Sequence, residues 1–318
     1  MTPNNILVTI ARMYYEQGMT QQEIADQLGL SRYKVLSMLR ETREKGIVSI
    51  IVHDPDERCE ELELELMKQF DLRAVRVVRS SKDNLDIVRA DLARATLPVL
   101  SEYVKDGFRI GVGSGTTIAA VVKQIESEGI PFKKLSYYPL MGGLNHSQPE
   151  FQINDLCRRL AQATSGSAFA LYAPGIVKDS LTCRTLLAEP SISQITECWN
   201  DLDVTMIGIG TLVESLSEAL RALFSDSDFR ELDHYGAVGN ICTRFYDTGG
   251  NACPMEIHQR MLNISFEQLR RVPVNIAVAG GIHKWRAIRS AMIGKIIDVL
   301  VTDEHTARAI VEAGTANV

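Results

Sequence analysis

At 318 residues, with 45% hydrophobic and 23% charged side chains, the chain has the makeup of a globular protein long enough for two domains, not of a disordered one. Its net charge of -6 excludes a protein that coats nucleic acid indiscriminately, because such binding needs broad phosphate neutralisation, but leaves room for a small local reader. The longest apolar stretches, such as VNIAVAGGI at 274–282, fall far short of the roughly 20 residues a membrane helix needs, and no basic-then-apolar leader is present, so a cytoplasmic protein without membrane contact is expected.

The first element is a rough helical stripe in NNILVTIARMYYEQGM, with Ile6, Val8, Ile10, Met13 and Tyr14 on one side and Gly18 as its stop. Thr20 then opens a second helix, with Glu23 at the spacing of a capping box, Ile24, Ala25 and Leu28 facing inward, and Gly29 closing it. Ser31 caps a third helix whose Val35, Leu36 and Leu39 can pack inward, while Arg32, Tyr33, Lys34, Ser37 and Arg40 project from other faces. Gly46 ends it, and IVSIIV at 47–52 has strand character. Helix, short glycine turn, helix and strand form the layout of a winged or extended helix-turn-helix module. Basic residues outnumber acidic ones around its second helix, so Arg32 or Lys34 is placed to meet guanine or phosphate, with Gln21, Gln22, Ser31, Tyr33, Ser37 and Arg40 as further contacts to DNA. A helical hairpin used only for protein contacts is the competing reading.

Pro55 and the acidic run after it mark a boundary, giving a DNA-binding domain over 1–54 and a second domain over 55–318. The helix expected in DPDERCEELELELMKQF carries Leu62, Leu66 and Phe70 on one stripe, leaves Leu64 off it, and joins the two domains. From Ala74 onward, short β-branched runs alternate with helical segments: AVRVV, FRIGVG, LSYYPLMGG, SAFALYAPG, DVTMIGIGT, VNIAVAGG and DVLVTD. That alternation predicts an α/β domain, a Rossmann-like, mainly parallel sheet with helices on both faces and ligands beyond the C-terminal strand ends.

GVGSGTTIAAVV follows one predicted strand and opens a helix near Thr116. Its glycines allow close approach, and free amides with the hydroxyls of Ser114, Thr116 and Thr117 suit a phosphate. It lacks the Lys of a Walker loop, and Thr116 stands where a dinucleotide fingerprint needs its third glycine. Taken alone it is equally an ordinary strand-to-helix turn. LMGGLNH, GIGT and AGGIHK should converge on the same sheet edge, where the Lys284 ammonium can meet a phosphate or carboxylate; His146 and His283 read as surface or packing residues. Six scattered cysteines, with no C-x-x-C pair and no matching histidine spacing, read as reduced thiols, and neither a metal nor a cofactor is expected.

Together, YYEQGMTQQEIADQLGLSRYKVLSMLRETREKGIV, GVGSGTT, PLMGGL, DVTMIGIGT, GAVGNICTRFYDTGGN and VAGGIHKWRAIRSAMIGKIIDVLVTDEHTARAIV resemble the SorC family of bacterial sugar-responsive transcription regulators over nearly the whole chain. The resemblance implies an effector domain similar to glucosamine-6-phosphate deaminase and ribose-5-phosphate isomerase, a phosphorylated sugar or polyol as effector, operator DNA as partner, and a homo-oligomer, a tetramer in the family. It also implies effector contacts at Ser114, Gly115, Thr116, Thr117, Gly142, Gly143, Gly210, Thr211, Asp247 and Lys284. Asn240 departs from the family, whose members usually carry an acid there. An isomerase or deaminase on this scaffold is the alternative, but such an enzyme needs a poised acid or histidine, and GIGTLVE offers no acid before Glu214, while Met141 cannot form a Schiff base.

Overall fold

Thr20 and Ser31 do the local work that starts the module's inner helices. The Thr20 hydroxyl accepts the Glu23 amide and the Glu23 carboxylate reaches back to the Thr20 amide; Ser31 Oγ accepts the Lys34 amide. Gly29, at φ 65, ends the second helix. These signals delimit α1 (Pro3–Tyr15), α2 (Gln21–Leu28) and α3 (Arg32–Glu44), which enclose a small core of Leu7, Ile10, Met13, Ile24, Ala25, Val35, Met38 and Leu39. The stripe on α1 is rotated from the expected one: Leu7 is buried and Val8 is exposed, and on α3 Met38 goes inside while Leu36 is only half-buried.

The computed structural model describes residues 3–48, 59–81, 84–144, 151–212, 221 and 223–315. Most of the strand expected over 47–52 lies outside the described residues, as do His146 and Glu214. The chain divides into two compact units, Met1–Asp56 and Glu57–Val318.

The larger unit opens with α4 (Glu60–Phe70), whose Leu62, Leu66 and Phe70 are buried while Leu64 is exposed. The helix does not stand between the units as a free connector. It packs on β1 (Ala74–Val78) and on the C-terminal helix Glu304–Thr315, and Glu63 Oε1 accepts the Val77 amide. Its apolar stripe had to be buried somewhere, and the edge of its own sheet supplies the surface.

Seven strands form one sheet in the order β1-β9-β8-β5-β2-β3-β4, every pair parallel. They are β2 (Arg109–Val112), β3 (Ser136–Pro139), β4 (Ser167–Ala168), β5 (Val204–Ile207), β8 (Val274–Val278) and β9 (Val299–Asp303) beside β1. Complete burial of β5, β8 and β9 matches their continuous β-branched runs, as expected of strands covered on both faces. SAFALYAPG contributes only two residues of strand, because the Asn154 side chain takes both the amide and the carbonyl of Leu171 and diverts the chain from the ladder. A separate antiparallel hairpin, β6 (Gly239–Ile241) and β7 (Arg244–Tyr246), was not foreseen as strands.

If α4 is an integral layer of the sheet domain, Leu66→Ala will lower its unfolding free energy by about 2–5 kcal/mol, the range for a buried leucine. Urea denaturation measures this, and a loss under about 0.5 kcal/mol would return α4 to the status of a linker.

Candidate effector site and DNA-reading face

In the sheet, β2 leads to β3 on one side, whereas β5, its neighbour, leads to β8 on the other. The order reverses between β2 and β5, so the crevice beyond their C-terminal ends is the topological switch point at which open α/β sheets hold ligands. The loop after β2 is tied across this crevice by the Gly113 amide, which donates to the Met206 carbonyl. Gly115 then adopts φ 121, a value side-chain-bearing residues rarely take, and delivers the chain into α6 (Thr116–Glu128). No side chain caps α6, so its first-turn amides face a ligand or water. Ser114 is half-buried with its Oγ 3.2 Å from Met141 Sδ, Thr116 is exposed and Thr117 is buried.

Opposite them, Lys284 starts the helix Trp285–Ile293, and its Nζ donates to the Ile209 carbonyl at 3.0 Å, in the loop after β5. Burial, with the Arg89 guanidinium as a second cause, pulls its pKa down to about 8. His283 is also lowered, by burial first and then by Lys284 and Arg89. Arg89 comes from α5 (Leu85–Tyr103), so three basic side chains from two elements gather at this edge. The turn bearing Lys284 is fixed by Asp303 at the end of β9: Oδ2 accepts the Gly281 amide at 2.6 Å and the Thr306 hydroxyl at 2.7 Å.

Gly210 and Asn240 exchange backbone hydrogen bonds at 2.9 Å in both directions, and Asn240 Nδ2 donates to the Thr211 carbonyl at 2.8 Å. A Cβ at Gly210 would sit 2.7 Å from Asn240 Nδ2. Thus Asn240, nearly buried, braces the β5 loop, and its Oδ1 is left as an acceptor at the site. Gly142 and Gly143 have spent their amides on the Leu262 and Ala173 carbonyls. A Cβ on Gly142 would meet the Ala173 oxygen at 2.6 Å, so this glycine allows two backbones to pack and does not donate to a ligand.

Asp247 is not brought to this edge. Its Oδ1 accepts the Gly249 and Asn251 amides at 2.9 Å, closing a turn whose Gly250 lies against Gly294, the end of the helix that Lys284 begins. Arg89 and Asp303 are the members that sequence reading passed over. Asp303 ends a predicted strand next to a helix start, a signal available in DVLVTDEH; Arg89 gave none, since an arginine on an amphipathic helix reads as a solvated face.

In the smaller unit, Arg32, Tyr33, Lys34, Ser37 and Arg40 are all exposed on α3, Tyr33 by 85%. Arg32, Gln21 and Gln22 share a cleft of about 570 Å³ with Tyr14 and Gly18, at the N-terminal end of the recognition helix, the end that helix-turn-helix modules direct at base edges.

Comparison with known proteins agrees with both halves. A sugar-binding domain family matches residues 54–312. The chain is 32% identical to the deoxyribonucleoside regulator of Bacillus subtilis over 96% of both chains. It is 26% identical to the sorbitol operon regulator of Klebsiella pneumoniae over 96% of this chain and 98% of that one. The crystal structure of full-length SorC from Klebsiella pneumoniae superposes with a TM-score of 0.74 at 25% identity, covering 98% of this chain and 99% of that one. The chain belongs to the SorC family of transcriptional regulators. Relatives of this SorC-family chain are regulators, not enzymes. No helix among the described residues is long and apolar enough to cross a membrane.

The lowered Lys284 pKa fixes a sign. With the folded value near 8 and an ordinary unfolded lysine higher, the unfolded chain binds more protons between the two, so stability rises with pH across that window. Lys284→Met should flatten this rise in denaturation curves. Sulfate, whose own charge is constant here, should bind about tenfold more weakly at pH 9 than at pH 7 in the unaltered protein, and without that dependence in Lys284→Met.

Proposed function

We propose that this SorC-family regulator is a cytoplasmic, operator-binding homo-oligomer whose strand-end loops take a phosphorylated sugar or polyol. The observation that carries the reading is Lys284: a largely desolvated ammonium held by a single carbonyl, across the switch-point crevice from the uncapped amides of α6. A dianionic phosphate satisfies both, and the ammonium gains a partner for the charge that burial disfavours. Ser114 and Thr116 supply hydroxyls beside the phosphate, and Asn240 offers a neutral acceptor to a sugar hydroxyl. The sorbitol operon and deoxyribonucleoside regulators among its relatives carry names that point to sugar metabolism, which supports the ligand class.

Recognition of DNA falls to α3. One short helix reads only a few base pairs, so adequate specificity needs at least two modules on half-sites about 34–36 Å apart or a multiple of that. A tetramer, the family's habit, meets this need. Because only the segment around α3 touches DNA, where Arg32, Lys34, Arg40, Arg43 and Lys45 outnumber Glu41 and Glu44, the acidity of the larger unit does not oppose binding.

Thermal-shift screening of sugar phosphates against their unphosphorylated parents tests the ligand class. A bound phosphorylated sugar at 100 times its dissociation constant adds about 2.7 kcal/mol, and the parent adds little. Asn240→Asp should reorder preference among the phosphorylated compounds without abolishing binding, and an unchanged order would remove Asn240 from the sugar contacts.

On the DNA side, Arg32→Ala should cost about 1–3 kcal/mol and relax specificity at one position, while Lys34→Ala should reduce the salt slope by about 1. Operator titrations across ionic strength measure both, and two unchanged curves would take α3 off the DNA.

A further inference from the structure

A cavity of about 600 Å³ lies between the helices Ser180–Ala188 and Pro190–Glu197 and the segment that begins at Arg244; it shares no residue with the four strand-end loops. Its most unusual wall is Arg244. The Nε of this side chain donates to the Ile264 carbonyl at 3.2 Å and Nη2 to Asn263 Oδ1 at 2.6 Å, leaving guanidinium donors over. Among the described residues no carboxylate comes within ion-pair reach of it. Two other inward arginines of the domain are treated differently: Arg260 grips both oxygens of Asp228, and Arg159 grips Glu126.

The surroundings do not neutralise Arg244. His258 is held neutral, its Nε2 accepting the Phe245 amide and its pKa pulled down to about 3 by burial and by Arg244 itself. The Cys183 and Cys242 thiols are pushed up by burial, and the more distant Glu267 contributes only a field. Burial correspondingly pulls the Arg244 guanidinium below its ordinary range. A charge removed from water without a counter-ion is costly unless an anion arrives to pair with it. Glu197 and Arg184 both border the opening, and Asn200, Asn263 and Gln268 offer amides.

We infer that this cavity is a second anion site, which takes the carboxylate or phosphate group of a small polar metabolite on the Arg244 guanidinium. Its volume suits a small molecule. The site stands independently of the effector reading, but the hairpin links it to Asn240. Asn263, which accepts from Arg244, also donates to the Cys242 carbonyl at 2.7 Å, clamping a turn in which Cys242 and Thr243 sit at φ 50 and 63 without being glycine. Such backbone persists only where its surroundings hold it, and the strand leading into that turn carries Asn240. An anion on Arg244 therefore bears on the brace of the β5 loop.

The chain's two tryptophans separate the sites: Trp199 lines the cavity and Trp285 follows Lys284. In full-length Trp285→Phe, malonate and inorganic phosphate are titrated while Trp199 fluorescence is read. A saturable response to malonate assigns a carboxylate ligand and one to phosphate assigns a phosphate ester; either supports the site. Arg244→Gln should weaken that response by about tenfold or more, the worth of a charged hydrogen bond, and Lys284→Met should leave it in place. Should Arg244→Gln fail to fold, Arg184→Glu, an exposed change at the opening, should still weaken it by about threefold or more. No saturable response to either anion, a response untouched by both arginine variants, or one lost in Lys284→Met would overturn the site. So would a response seen only on dilution to monomers, which would mean that a carboxylate from a second copy fills the cavity.

Discussion

Every strand of the seven-stranded sheet runs in the same direction, and this one constraint places the chemistry. Parallel strands must be joined by crossovers, so each strand leaves the sheet at the same edge and each following helix begins there with its amides forward. Strand order reverses between β2 and β5, which opens a crevice where two glycine-containing loops diverge. The Gly113 amide bound to Met206 holds the loops in register, and Lys284 reaches over from the next strand to the Ile209 carbonyl. The site is thus a consequence of topology, with a few side chains to give it charge.

Beneath those contacts lies a layer of hydrogen bonds that positions the loops. Asp303 spends both carboxylate oxygens on the Gly281 amide and on Thr306, fixing the turn from which Lys284 extends. Asn240 and Gly210 lock hairpin to β5 loop through paired backbone bonds, with no room for a side chain at Gly210. Signalling between effector and DNA requires an element with two arrangements of different ligand affinity. The hairpin is the natural candidate in the larger unit, since it meets the β5 loop on one side and carries a turn of non-glycine residues at positive φ on the other.

Much of this was legible in the residues. The capping signals at Thr20, Ser31 and Gly29 delimit α2 and α3 because caps act over three or four residues and need no tertiary context. The β-branched runs mark the strands because burial on both faces demands them. What escaped reading depended on distant contacts. The hairpin has three-residue strands and a turn of Cys242 and Thr243, where turn chemistry leads one to expect Asn or Gly. Asp247 is the exception: Asp-Thr-Gly-Gly-Asn is a local turn signature, and its Oδ1 is taken by the Gly249 and Asn251 amides just after it. Arg89 joins Lys284 only through the packing of α5 onto the sheet edge, and α4 looked like a connector because the edge that buries its stripe is formed partly by the other end of the chain.

The central claim is that one protein binds a phosphorylated sugar at the sheet edge and DNA through α3, and that the two events are linked. Linkage is reciprocal, so the most direct measurement is the dissociation constant of a phosphorylated sugar taken from the thermal-shift screen, determined by calorimetry with and without saturating operator DNA, beside the operator's constant with and without that sugar. The account predicts that both constants shift by the same factor, between about 5 and 150-fold. Identical sugar affinity in the presence and absence of operator would contradict it.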